Sequence, residues 1–157
     1  MTGDTAGPEL FVSGGFASGG LSMSADDLAA FALALQRGDF LTTGQLEQAW
    51  TPATISDGTR VAARINAETD SYGFGWFLTE LAGRRLVTHG GGITGFCANL
   101  YHFPEDCLTI AVLSNAKARD DGVAAVDPIA RRITEAYFAL QPERNVDDSS
   151  DSRSARR

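Results

Sequence analysis

The sequence predicts an α+β fold, an antiparallel sheet with flanking helices, and three observations carry that expectation. Apolar residues recur at helical spacing early in the chain, at Leu28, Phe31, Ala32 and Leu35, and again late, at Ile129, Ile133, Tyr137 and Leu140. Between them lie short runs rich in aromatic and β-branched residues, separated by the turn-forming Ala82-Gly83 and Pro104-Glu105-Asp106. Helices, strands and a closing helix are thus segregated along the chain, which argues against alternating parallel βαβ units.

Each element has its own local signal. Ser24 caps a helix and Asp27, three residues on, completes a capping box, while Gly38 stops it. A shorter helix follows Thr43, runs through Leu46 to Trp50 and ends at Pro52. Tyr72-Gly-Phe-Gly-Trp-Phe-Leu reads as an aromatic strand, and Arg85 to His89 as its return after the Ala82-Gly83 turn. Gly95–Phe103 and Cys107–Asn115 form the next hairpin. The alternation of Thr109, Ala111 and Leu113 with Ile110 and Val112 suggests a strand buried on both faces. Asp127 then reads as the cap of the last helix, with Pro128 at its first position. Ser56-Asp57-Gly58 reads as a polar turn, and no internal repeat is visible.

Composition narrows the function classes. A chain of 157 residues suits one domain, expected over 1–141, with a disordered tail over 142–157 whose four acids and four arginines cancel. The formal charge of −7 therefore belongs to the domain. One lysine, Lys117, in an acidic chain argues against nucleic acid as a partner. No apolar run approaches the ~20 residues of a membrane helix. The first 20 residues lack a basic start followed by an apolar stretch, so no compartment is assigned. If Phe103 faces Cys107, Cys97 faces Leu113, which puts the two cysteines beyond disulfide reach as free core thiols. His89 and His102 stand thirteen residues apart with no carboxylate at ligand spacing, so no metal or cofactor is expected and His102 reads as a strand residue facing solvent. Phe74, Trp76 and Phe77 read as core or sheet-face packing, with one of them free to border a cleft.

The segment richest in chemical meaning is Thr88-His89-Gly90-Gly91-Gly92-Ile93-Thr94-Gly95-Phe96. Glycines weaken a strand, so four in seven residues call for a reason such as close approach of a ligand. A backbone stripped of side chains can present N–H groups to a developing oxyanion, and an adjacent histidine can move a proton near neutral pH. A flexible hairpin loop with an incidental histidine is the plainer alternative. The His-Gly-Gly-Gly oxyanion motif of α/β-hydrolases is a further one, but the Gly-x-Ser-x-Gly elbow it accompanies is absent from the chain.

Motif order adds to this. Gly19-Gly20-Leu21-Ser22, Ser24-Ala25-Asp26-Asp27-Leu28-Ala29, Tyr72-Gly-Phe-Gly-Trp76, His89-Gly-Gly-Gly-Ile-Thr-Gly-Phe96, Phe103-Pro-Glu-Asp106 and Val112-Leu-Ser-Asn115 together resemble the serine β-lactamase-like superfamily. That group holds class C β-lactamases, penicillin-binding D-alanyl-D-alanine peptidases and related esterases. The resemblance spans about residues 14–140 and implies the C-terminal part of a β-lactamase/transpeptidase-like fold. It also implies acyl transfer through a serine in Ser-x-x-Lys, helped by Tyr-x-Asn and by a Lys-Thr-Gly strand.

His89-Gly90-Gly91 stands where Lys-Thr-Gly would, and by the resemblance Gly92 supplies an oxyanion N–H. An ordinary histidine titrates near pH 6.5 and gives no permanent charge for a substrate carboxylate. Gly90 also lacks the hydroxyl that would help hold one. Both departures favour an ester, amide or peptide substrate over a penicillin.

The attacking group is the gap. The only Ser-x-x-Lys spacing is Ser114-Asn-Ala-Lys117, at the end of a strand where the superfamily reads Leu-Ser-Asn without catalytic duty. No Tyr-x-Asn occurs, since Tyr72, Tyr101 and Tyr137 are followed two residues on by Phe74, Phe103 and Ala139. The expectation is a fragment inactive alone, whose partner is a missing N-terminal half or a second copy meeting an exposed sheet edge. A non-catalytic binding or interaction module derived from the same fold is the alternative.

Overall fold

The structure is a computed structural model that describes residues 16–62, 70–93, 95–115 and 122–141. Its elements run α1 (Phe16–Gly19), α2 (Ala25–Arg37), α3 (Thr43–Ala49), β1 (Ser71–Tyr72), β2 (Phe77–Leu81), β3 (Arg84–Ile93), β4 (Phe96–Phe103), β5 (Leu108–Ser114) and α4 (Gly122–Ala139). The five strands form one antiparallel meander in the order β1-β2-β3-β4-β5. Both α2 and α3 pack on one face of this sheet and α4 on the other. The α+β expectation holds.

Local chemistry sets the helix starts. Ser24 accepts from Asp27 N–H at 3.1 Å while the Asp27 carboxylate reaches back to the Ser24 N–H, and Thr42 and Gln45 repeat the arrangement for α3. Gly38, at φ 83°, closes α2 in the left-handed conformation that glycine adopts without strain. Ala82 (φ 53°) and Gly83 (φ 68°) turn β2 into β3 with two positive φ values, the pattern of a type I′ hairpin.

Two apolar layers sandwich the sheet. Leu35, Leu46, Trp50, Leu78 and Val87 fill the α2/α3 side, with Leu41, Ala49 and Trp76 packed around them. Leu86, Tyr101, Phe103, Ile110 and Ala130 fill the α4 side, with Phe138 against them. Helices lie against both faces of β5, but only Ile110 of that strand is buried and Leu113 is exposed, so the expected burial on both faces is only partial.

Several sequence expectations need correction. The aromatic run Tyr72–Leu78 is not one strand: β1 stops at Tyr72 and the chain turns over Gly73–Trp76 before β2. Helix α4 begins at Gly122, so Asp127 and Pro128 lie inside it rather than capping it. Its buried face is Val126, Ala130 and Thr134, whereas Ile129, Ile133, Tyr137 and Leu140 are exposed. The β4–β5 register is one residue off, because Cys107 sits in the turn at φ 51° and Phe103 pairs with Leu108, placing Cys97 opposite Ser114. Both thiols are free, but Cys107 is exposed and only Cys97 is in the core. The tail expected over 142–157 lies outside the described residues, as do Thr94 and Lys117.

Candidate active-site ribbon

Strand β3 outruns its neighbour. Its pairing with β2 ends at Phe77↔Thr88, while its pairing with β4 continues through Gly90↔Asn99, Gly91↔Ala98, Gly92↔Cys97 and Ile93↔Phe96. From His89 onward β3 is thus laddered on one edge only, among the described residues, and its β2-side backbone groups face outward. A Cβ placed on Gly91 would meet nothing within 4 Å. By alternation His89 and Gly91 share the face of Val87, the α2/α3 side of the sheet.

His89 is exposed but held. Its Nε2 lies 3.2 Å from the Tyr72 phenol oxygen, and the Phe77 ring leans on the imidazole with centroids 5.0 Å apart. Tyr72 and Phe77 meet edge to face at 4.7 Å, so the three rings form one cluster at the mouth of the ribbon. The sequence reading had singled out His89, Gly90, Gly91 and Gly92, which are consecutive in β3. It missed Tyr72, since seventeen residues separate it from His89 and no spacing rule links them.

The Tyr-Gly-Phe-Gly-Trp motif explains how Tyr72 comes to stand there. A Cβ on Gly73 would fall 2.3 Å from the Ala49 carbonyl oxygen, so only glycine lets this turn press against the end of α3. The Phe74 N–H donates to that same carbonyl at 3.0 Å, and Gly73 N–H donates to Trp76 O at 2.8 Å. Gly75 completes the turn at φ 76°. Tyr72 itself is tied on both backbone sides, donating to Val61 O and accepting from Ala53 N–H. Phe74 is 72% exposed, so of the three aromatics after Tyr72 it alone is not packing.

Behind β3, on the α4 side, lies a second polar group that the sequence did not announce. The Asp127 carboxylate accepts from Asn99 Nδ2 at 3.0 Å, from the Tyr101 hydroxyl at 2.5 Å and from Arg131 Nε at 2.9 Å. Thr88 Oγ1 lies against Asn99 Oδ1 and donates to Leu100 O at 2.7 Å. Burial, with the adjoining Asp127 carboxylate, raises the Tyr101 pKa and keeps the phenol protonated. The residue that precedes His89 is thereby tied by its hydroxyl to the backbone of β4, beside the Asn99 side chain that donates to Asp127 on α4.

His102 does not face solvent, contrary to expectation. It is buried beside Trp50, with ring centroids 5.4 Å apart, and its Nδ1 pairs with Thr109 Oγ1 at 2.9 Å. Burial lowers its pKa to about 4. Ser114 ends β5 opposite Cys97, on the far side of β4 from β3. Ser56-Asp57-Gly58 is a turn closed by Thr59 N–H on Asp57 Oδ1. Among the described residues no three His, Cys, Asp or Glu side chains gather as a metal site, and no helix is long and apolar enough to cross a membrane.

A family model described as Beta-lactamase matches residues 2–134. The chain belongs to the Beta-lactamase family. It is 27% identical over 139 residues to Penicillin-binding protein 4* of Bacillus subtilis (strain 168), covering 88% of this chain and 29% of that protein. A D-aminopeptidase of Cereibacter sphaeroides is 29% identical over 103 residues, 61% of this chain and 20% of that protein. The octameric penicillin-binding protein homologue from Pyrococcus abyssi superposes with TM-score 0.64 at 22% identity, over 82% of this chain and 27% of that one. A D-stereospecific amidohydrolase from Streptomyces gives TM-score 0.51 at 24% identity, over 74% and 30%. This Beta-lactamase-family chain thus spans under a third of the relatives it matches, and its sheet and helices are part of their fold.

Proposed function

We propose that this chain supplies one wall of an acyl-transfer site for ester, amide or peptide hydrolysis through an acyl-serine. The observation that carries the reading is the overhang of β3. A ribbon of three glycines after a histidine is laddered on one edge and open beside Gly91, in a chain of the Beta-lactamase family. Backbone N–H groups on such an edge stabilise an oxyanion without reorganising, an effect worth ~10²–10³ in rate where one donor has been removed. In this reading Gly90, Gly91 and Gly92 form the substrate-binding strand and Gly92 supplies the oxyanion N–H. His89 is the catalytic group that touches substrate, as a hydrogen-bonding partner standing where a lysine would.

The attacking serine and its lysine belong, in this proposal, to a further polypeptide segment of the family fold. Two surfaces support that assignment. The outer edge of β5 has no strand beside it among the described residues. On α4, Ile129, Ile133, Tyr137 and Leu140 lie on its exposed side. A segment carrying Ser-x-x-Lys that adds a strand to β5 and covers this stripe would complete the fold.

The experiment is labelling with a fluorophosphonate probe, first of this chain alone and then with a Ser-x-x-Lys segment of the family fold joined ahead of it. The chain alone stays unlabelled; the joined protein is labelled on the added serine and hydrolyses a short-chain ester faster than nitrocefin. His89→Ala lowers that ester hydrolysis at least tenfold. Labelling of Ser114, or activity indifferent to His89, refutes the assignment.

A further inference from the structure

We propose that Tyr72 is the positioning residue for His89, its phenol donating to Nε2 and thereby holding the imidazole proton on Nδ1. The bond is drawn at 3.2 Å between Tyr72 Oη and His89 Nε2. Either group could be the donor on geometry alone, and the chemistry of the two atoms decides between them. A phenol O–H is a better donor than a neutral imidazole N–H, and an sp² ring nitrogen is a better acceptor than a phenol oxygen. The proton on Oη therefore points at Nε2, and the ring's own proton resides on Nδ1.

Rigidity makes this more than a passing contact. Tyr72 is fixed by its pairing with Phe77, by backbone bonds to Val61 and Ala53, and by the Gly73 turn pressed on α3. Phe77 closes over the imidazole at 5.0 Å, with its ring tilted 33° from it. The imidazole is thus held at one nitrogen and across one face, and Nδ1–H is left to act as donor. The tautomer stands on this contact and on the donor and acceptor chemistry of the two atoms, independently of the acyl-transfer reading. What the donor is for rests on the reading above, in which Nδ1–H meets the substrate group that a cationic lysine would otherwise hold.

The chain has two histidines, His89 and His102, so nitrogen-15 NMR of the full chain resolves both, with His89→Ala assigning the signals. The spectrum is read at an alkaline pH above which the ring-nitrogen shifts no longer change. His89 is expected to carry its proton mainly on Nδ1, opposite to the Nε2–H form that histidine favours in water. Tyr72→Phe keeps the ring against Phe77 and removes only the hydroxyl. It is expected to move the tautomer ratio toward Nε2–H by about fivefold or more, the size that one net hydrogen bond supports. A wild-type proton on Nε2, or a ratio unchanged in Tyr72→Phe, overturns the proposal. The wild-type spectrum decides even where the variant does not fold. Should the completed enzyme prove indifferent to His89, the acyl-transfer reading fails while the tautomer result stands, so the two are separable.

Discussion

Single residues here carry more than their sequence context suggests. His102 is the clearest case. Strand β4 is covered by helices on both faces, so the alternation that marks a half-solvated strand is lost and a polar residue on the α2/α3 side is buried with the rest. Its pKa, pushed by burial from 6.5 to about 4, makes a definite statement about stability. The folded state holds the neutral ring, so this group's contribution is fully present above pH 6.5. It is lost as pH falls from 6.5 toward 4, because the unfolded chain takes up the proton first. The full loss is on the order of 3 kcal/mol. Urea denaturation of the wild type should weaken across that window, while His102→Gln should show a flatter profile; parallel profiles would refute the assignment. Asp127 is the other residue whose role spacing could not reveal. Read as a helix cap, it is instead the common acceptor of Asn99, Tyr101 and Arg131. Asp127→Ala should cost about 2–3 kcal/mol, since it strands a phenol and an amide away from water. An unchanged denaturation midpoint would show that network to be idle.

At the scale of elements, the signals that were legible were those with short range. The capping box at Ser24, the Gly38 stop and the Ala82-Gly83 turn all act within a few residues, and the sequence displays them directly. The candidate run His89–Gly92 stands out in the sequence because it is contiguous, but the strand expected to end at His89 continues through it to Ile93. What escaped depends on partners distant in sequence. The split of the aromatic run into β1, a turn and β2 is imposed by the Ala49 carbonyl, which no local pattern encodes. The β4–β5 register slipped by one because Cys107 itself takes the left-handed position, a conformation rare outside glycine. Gly73 provides the sharpest test at this scale. A methyl group there would drive into backbone of α3, which cannot swing aside as a side chain can. Gly73→Ala should destabilise the chain by about 1–3 kcal/mol, the range of overpacking, and displace Tyr72 from His89. A thermal midpoint within a degree of wild type would mean that the approach is looser than drawn.

The described residues form a three-layer arrangement with no strand beside the outer edge of β5. The stripe of Ile129, Ile133, Tyr137 and Leu140 has helical periodicity, and periodicity alone says that a face is apolar, not what covers it. In the described residues the α4 face turned to the sheet is the narrower one of Val126, Ala130 and Thr134, small enough for close approach to β4 and β5. The larger apolar stripe is exposed, together with the outer edge of β5. An edge with no strand beside it among the described residues and an exposed apolar stripe favour self-association, the edge as a template for strand pairing and the stripe by burial of apolar surface. The isolated chain is therefore expected to elute above its monomer mass of 16.6 kDa at micromolar concentration in size-exclusion chromatography with light scattering. Ile133→Glu places a charge in the exposed stripe without touching the buried face, so it should shift the chain toward monomer while leaving its denaturation midpoint nearly unchanged. Addition of the Ser-x-x-Lys segment should do the same by covering both surfaces at once. A wild-type chain that remains monomeric at ~100 μM, where exposed apolar surface and strand edges ordinarily drive association, would mean that the stripe and edge are self-sufficient and need no completing segment.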